Sequence, residues 1–461
     1  MAVSLMAASC EKVPYEEQQR RQAAENAMRF LRDKVMSTYY YWNRYLVKKP
    51  ISYETDIYDY FDDLLYEKDH WSWMMDGKTY MDNEIGIKHG TYGVSLGQMI
   101  EYYKDYGVFV KYVLPDGPFD KAGVKRGWEI TGIDNIATGD YIKADAYGLS
   151  NLFNYPSTTT AHLFTFLDPE GETHDFSIVA AESLNYRPAL IKTIFTAADY
   201  PGLKAPVGYF NYLSFKADDD SNGKSMIDDI SEPMEYFRAN NIKTLILDLR
   251  YNGGGDSRAS DTLVSYLAPK SAVGKPYVIR THNDQMKRLD TTCVVKRNLH
   301  SPNFEKIYVI TGEGSASASE MVLNGLKPLA NIQHVGDTTY GKPNGMYVFL
   351  YPNHLAAYDR GDYSALQYVF LPICFYNNNG EGKLIPDDGM IPDNTRPDDL
   401  YHDFGPGEDN IGACLYHIVH GTYPSLPEVT PGTKTSGGID ARLDEWKNDK
   451  NYGRYTLKRD F

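Results

Sequence analysis

Three apolar runs constrain what this chain can fold into more than any other feature: VGYFNYL (207–213), IKTLILDLR (242–250) and IYVIT (307–311). They are nearly continuous rather than alternating, so strands built from them must be covered on both faces. Amphipathic helical patterns such as SRASDTLVSYLA (257–268) separate them. Buried strands alternating with helices predict an α/β domain with a largely parallel sheet.

The 461 residues exceed what one ordinary core can use, so several domains are expected. Near the N-terminus Ala27, Leu31 and Val35 fall four apart, and Trp42 and Leu46 repeat the spacing, which predicts one amphipathic helix ended by Pro50. Ile57, Phe61, Leu64 and Leu65 predict a second. From about residue 85 the texture changes to short apolar runs between glycines, the mark of short strands and turns. The expected organisation is therefore a leader over 1–10, a helical module over 11–84, a β-rich domain over 85–190, an α/β domain over 191–423 and a polar tail over 424–461.

Charge narrows the partners. With 47 basic and 62 acidic residues the net charge is −15, which argues against nucleic acid or an anionic membrane surface. The opening MAVSLMAASCEK resembles the end of a bacterial lipoprotein signal, small and apolar up to Cys10 and charged after it. Lipidation of Cys10, membrane attachment through it, and a place in the bacterial cell envelope facing the periplasm or cell surface are the corresponding expectations. Without the lipid, the chain would be secreted to the periplasm. The other cysteines, Cys293, Cys374 and Cys414, have no zinc-type spacing.

The segment KIYVITGEGSASASEMVLNGL (306–326) reads as a strand, a glycine turn and a helix that begins around Ser317. A serine there lies at a helix N-terminus, where the N–H of Ala318 can face an anion. The hydroxyl needs a base to become a nucleophile. No histidine neighbourhood suggests a triad, and Ser315 and Ser319 occupy the places of the two glycines in a G-x-S-x-G elbow. Lysine is the alternative: Lys342 follows another strand in a glycine-rich turn, 25 residues after Ser317. Consecutive strand–turn units of this kind can present both side chains at one edge of a sheet.

GSASASE (314–320), GDTTYGK (336–342), ILDLRYNGGG (246–255) and DDGMIPD (387–393) together resemble, in kind and order, the carboxyl-terminal processing (tail-specific) serine peptidases, which use a Ser/Lys dyad. The resemblance covers roughly residues 85–400. It implies Ser317 as nucleophile, Lys342 as general base, and an oxyanion hole from the N–H groups of Ala318 and of Gly253 or Gly254. It also implies a Clp protease/crotonase-like α/β catalytic domain, needing neither cofactor nor metal, and protein or peptide substrates with accessible C-termini. Asp248 and Arg250 are expected to fix the glycine loop. A lysine base must be largely neutral; lowering its pKa from about 10.4 to about 7.5 by burial costs on the order of 4 kcal/mol. Some family members carry a glutamine four residues after the lysine; here Met346 stands there, and Asn344 is the candidate replacement.

DGPFDKAGVKRGWEITGIDN (116–135) resembles the core of the PDZ domains in such peptidases. YGVSLG (92–97) then falls where a carboxylate-binding loop would be, with the N–H groups of Val94, Ser95 and Leu96 receiving a peptide terminus. The competing reading is a catalytically silent PDZ-containing peptide-binding protein of the same multidomain α/β fold. DDDSNGKSMIDD (218–229) approaches a calcium loop but has Asp229 at position twelve, and is expected to be an acidic surface loop.

Overall fold

The computed structural model describes residues 14–97, 100–102, 105–352 and 363–426; Cys10 and most of the expected tail lie outside them. The chain divides into two compact units.

The first unit draws on the chain up to Tyr80, on His282–Leu289 and on Met346–Phe375. The helix Tyr15–Phe30 runs on as a π-helical turn, Leu31–Met36, and stops there. It does not reach Pro50 as the spacing predicted. The reason is tertiary: Tyr40 turns inward and donates to Asp69 (2.8 Å), whose carboxylate also receives Trp71 N and Ser72 N. The second helix, Ile57–Asp63, is as expected, capped by Asp56 on Tyr58 N. The module is not purely helical. Trp73–Asp76 pairs with Leu366–Leu371, which pairs with Phe349–Pro352, and this antiparallel sheet shares one core with the helices through Ala27, Leu31, Phe61, Met74 and Phe370.

The second unit holds both the β-rich segment and the large sheet. In the β-rich segment, Thr173–Val179, Ala161–Leu167, Glu129–Ile133 and Ile136–Ala137 form one antiparallel sheet. Phe119, Val110, Ile130, Phe164 and Phe166 fill its core, with Ile142 and Leu149 of the helix Thr138–Asn154. Val94–Leu96 are a strand here, not a loop: they pair antiparallel with Val110–Val113. Leu114 N donates to Gly93 O, so ladder alternation directs the Ser95 N–H into this pairing and the Val94 N–H to the opposite edge. Gly93 itself has φ +69, and a Cβ there would lie 2.8 Å from the backbone of Gly117.

The large sheet has six strands in sequence order: β1 (Ala189–Phe195), β2 (Val207–Tyr212), β3 (Thr244–Asp248), β4 (Lys306–Thr311), β5 (Ile332–Gly336) and β6 (Asn394–Thr395). β1 is antiparallel to β2 and all later pairs are parallel. Helices α1 (Asp228–Ala239), α2 (Ser257–Leu267) and α3 (Ala318–Leu326) cover one face, where Phe210, Leu245, Leu247 and Val309 meet Met234, Leu263 and Leu323. Helix α4 (Asp409–His420) covers the other, where Tyr209, Ile246, Tyr308 and Ile310 meet Ile411 and Leu415. Apolar residues on both sides of β2, β3 and β4 are what the continuous runs required. The loop 218–229 has its own use for its acids: Asp220 and Asp229 both bind Arg187 (each 2.7 Å).

Candidate active site

Parallel pairing in register brings the C-terminal ends of β3, β4 and β5 side by side, and each is followed by one of the recognised motifs. After β3 comes the glycine loop Leu249–Gly255, after β4 the serine turn, and after β5 the lysine turn 337–343.

The structure separates the three serines. Ser315 is fully buried; its Oγ donates to Leu249 O (2.7 Å) and accepts from Gly312 N (3.0 Å). Ser319 is buried too, and its hydroxyl donates to Asn252 O (2.8 Å). Both hydroxyls bond to the neighbouring backbone. Ser317 is partly exposed and forms the N-cap of α3, with φ +53 and ψ −110. That conformation costs a non-glycine residue on the order of 1–3 kcal/mol and holds the side chain at a sharp strand-to-helix corner.

Lys342 is 6% exposed. Its turn is joined to the serine turn by one side chain, Glu320, three residues after Ser317 and itself wholly buried. Glu320 Oε2 accepts from Ser317 N (2.9 Å) and from Lys342 N (2.9 Å); Oε1 accepts from Gly341 N (2.8 Å) and Thr339 Oγ1 (2.6 Å). Burial pushes this carboxyl above its ordinary value, and the hydrogen bonds from Thr339, Lys342, Gly341 and Ser317 pull it back. The motif 387–393 closes the lysine turn from outside: Thr339 N donates to Met390 O and Met390 N to Thr339 Oγ1. Gly341, at φ +86, lies so close to Asp387 that a Cβ would meet its carbonyl at 2.2 Å. Asn344 is buried, and both its amide atoms lack a hydrogen-bond partner among the described residues. Its side-chain amide therefore does not bond Lys342.

Of the two glycines considered for the oxyanion hole, the structure sets Gly254 apart. Its N–H donates to Asn252 Oδ1 (2.9 Å), so it is not available as a donor. Its role is one of space: at φ +108, a Cβ would stand 2.8 Å from Ser317 Cβ and 2.9 Å from Ala318 N. The N–H groups of Gly253 and Ala318 have no protein acceptor among the described residues.

A buried ionic cluster fixes the start of the glycine loop. Arg250 donates to Asp248 Oδ1 (3.0 Å), Asp398 Oδ1 (2.9 Å) and Glu408 Oε2 (3.1 Å). Arg126, from the β-rich segment, donates to the same Asp398 oxygen (3.0 Å), to Lys111 O (2.7 Å) and to Tyr251 Oη. Tyr251 Oη donates to Asp398 Oδ2 (2.6 Å). Although burial alone would raise it, the Asp398 carboxyl is held well below the usual carboxylate range by Arg126 and Arg250. Asp248 and Arg250 thus fix the loop as expected, whereas Glu320, Arg126, Asp398 and Glu408 were not anticipated. Glu320 carried a readable signal, the S-x-x-E spacing of a capping box. The others come together only in the fold.

A parallel sheet thus gathers a glycine loop, a strained serine and a buried lysine at the C-terminal ends of its strands, in an α/β architecture. Residues 206–393 match the profile of peptidase family S41, and residues 33–73 match the peptidase S41 N-terminal domain. Over those residues the chain is similar to peptidase family S41. It is 25% identical over 244 residues to carboxyl-terminal-processing peptidase 2, chloroplastic, of Arabidopsis thaliana, covering 53% of this chain and 43% of the relative. It is 30% identical over 116 residues to carboxy-terminal processing protease CtpB of Bacillus subtilis, covering 25% and 22%. It therefore spans less than half the length of these relatives. Among solved structures, a Bacteroides fragilis protein assigned to the S41 proteases superposes with a TM-score of 0.67 at 20% identity, covering 85% of this chain and 97% of that one. That likeness is one of fold.

Proposed function

We propose that the chain is a serine endopeptidase of the carboxyl-terminal processing type, acting on chain ends or unfolded segments through a Ser317/Lys342 dyad. The observation that carries this reading is the shared carboxylate: Glu320 holds the backbone of the one serine left partly exposed and the backbone of the buried lysine at the same oxygen, 2.9 Å from each.

In this mechanism Ser317 Oγ attacks the scissile carbonyl and passes its proton to the neutral amine of Lys342. The tetrahedral oxyanion is received by the N–H groups of Ala318 and Gly253. Collapse of the intermediate transfers the proton from Lys342 to the leaving amine, and water activated by the same lysine then releases the acyl group. The β-rich segment acts as a PDZ-like module. Its strand Val94–Leu96 pairs with Val110–Val113 on one side, and the other edge would take a substrate strand. Lipidation at Cys10 and an envelope location belong to this proposal and rest on the sequence alone.

The test is cleavage of a poorly folded protein with a free apolar C-terminus by wild type, Ser317→Ala and Lys342→Ala. Wild type should cut, and both variants should be folded and inert. A wild type that binds the tail without cutting it would replace this reading with that of a silent peptide-binding protein.

A further inference from the structure

We propose that Asn252 is the positioning residue that builds the oxyanion hole, an inference that rests on the peptidase reading above. Asn252 is fully buried and does three things at once. Its Oδ1 accepts from Gly254 N (2.9 Å), an Asx turn that takes the Gly254 amide out of the cavity and leaves the preceding amide, Gly253, as the free donor. Its Nδ2 donates to Tyr212 O (2.9 Å), which fastens the turn to the end of β2. Its own carbonyl accepts from Ala316 N (3.2 Å) and Ser319 Oγ (2.8 Å), residues on either side of the nucleophile.

The consequence is geometric. The two expected oxyanion donors come from different loops, one after β3 and one opening α3, and an oxyanion hole works only if both point at one atom. The β2 end, the glycine loop and the serine turn share one residue that touches all three. Phe215 completes the brace on the far side, donating to Gly254 O (2.8 Å) and accepting from Asp256 N (2.7 Å). This gives Ser319 a role as well: its hydroxyl reports the position of α3 to the Asn252 carbonyl. Truncating Asn252 would free the Gly254 amide and let the Gly253 donor drift. Misplacing one oxyanion donor typically costs about 100-fold or more in rate.

The experiment compares wild type, Asn252→Ala and Asn252→Ser. Each is measured for kcat, KM, affinity for a peptide aldehyde that forms a tetrahedral adduct on serine, and affinity for the corresponding product peptide. Asn252→Ala should lose about 100-fold in kcat and a similar factor in aldehyde affinity, with product affinity within about twofold. Asn252→Ser, whose hydroxyl can form the same turn more weakly, should recover about tenfold of that loss and guards against misfolding of the alanine variant. Equal losses of aldehyde and product affinity, or kcat within threefold of wild type, would overturn the proposal. Amide exchange in 15N-glycine-labelled wild type tests it independently of activity. Gly254 N–H should be strongly protected and Gly253 N–H should exchange freely; the reverse order would refute the assignment even if the protein proved not to be a peptidase.

Discussion

Replacing Glu320 with glutamine probes the junction on which the site depends. The carboxylate accepts four hydrogen bonds, two on each oxygen, and is fully buried. Glutamine keeps the shape but offers one acceptor oxygen and one NH2 group. If the NH2 takes the place of Oε2, it faces the N–H groups of Ser317 and Lys342, donor against donor. If it takes the place of Oε1, it faces Gly341 N and the Thr339 hydroxyl, and only the hydroxyl can turn to accept. The second orientation is the less costly: oxygen stays on Ser317 N and Lys342 N, and the bond from Gly341 N to a charged group is lost, at about 1.5–3 kcal/mol, while removal of a buried charge returns part of that. A net destabilisation on the order of 1–2 kcal/mol follows, read as a lower urea midpoint at unchanged m-value. Because the lost contact holds the turn that carries Lys342, kcat should fall at least tenfold at temperatures where circular dichroism shows the variant folded, with KM little changed. A folded Glu320→Gln protein with wild-type kcat would refute the view that this carboxylate aligns the two turns.

Other expectations follow from the same contacts. Gly254→Ala places a methyl 2.8 Å from Ser317 Cβ at a backbone φ of +108, and should abolish cleavage by at least about 100-fold, measured as kcat/KM on a peptide. Arg126→Met leaves the part-buried Asp398 with one guanidinium partner fewer and should cost about 1.5–3 kcal/mol in urea unfolding; an unchanged midpoint would contradict the clamp. Ser315→Ala should lower stability by about 1–3 kcal/mol through two lost bonds, whereas Ser317→Ala should leave the melting temperature nearly unchanged. His334, buried against Thr311, has its pKa lowered by burial to about 4. The unfolded chain therefore binds this proton first. Its contribution is complete above about pH 6.5, declines as the pH falls towards 4, and amounts to on the order of 3 kcal/mol. In His334→Gln the stability–pH curve over that range should be shallower by this amount; an equal slope would exclude His334 as its source.

How much of this was readable beforehand depended on how local each cause was. Strands β2, β3 and β4 were legible because burial on both faces leaves an uninterrupted apolar run. The start of α3 at Ser317 was legible from its glycine turn and the apolar period after it. The end of the first helix was not, since Tyr40 leaves the helical path to reach Asp69, 29 residues away, and periodicity carries no trace of that bond. The shape of the site divides the same way. Ser317 and Lys342 stand out because strand–turn units announce themselves, and Glu320 could have been found from its spacing to Ser317. Arg126 and Asp398 lie 272 residues apart, and no local rule joins them. Ser95 misled for the opposite reason: the glycines near it look like a loop, while its N–H falls within a ladder. Gly253 and Gly254 are identical in sequence terms and are told apart only by which amide Asn252 accepts.

The central claim is that one of the three clustered serines is a nucleophile activated by Lys342, and a serine-directed fluorophosphonate tests it most directly. After reaction with the folded protein, digestion and mass spectrometry should place a single adduct on Ser317, with none on Ser315 or Ser319, and Lys342→Ala should label at least 100-fold more slowly. An adduct on either neighbouring serine, or labelling of Ser317 at an undiminished rate without Lys342, would contradict it.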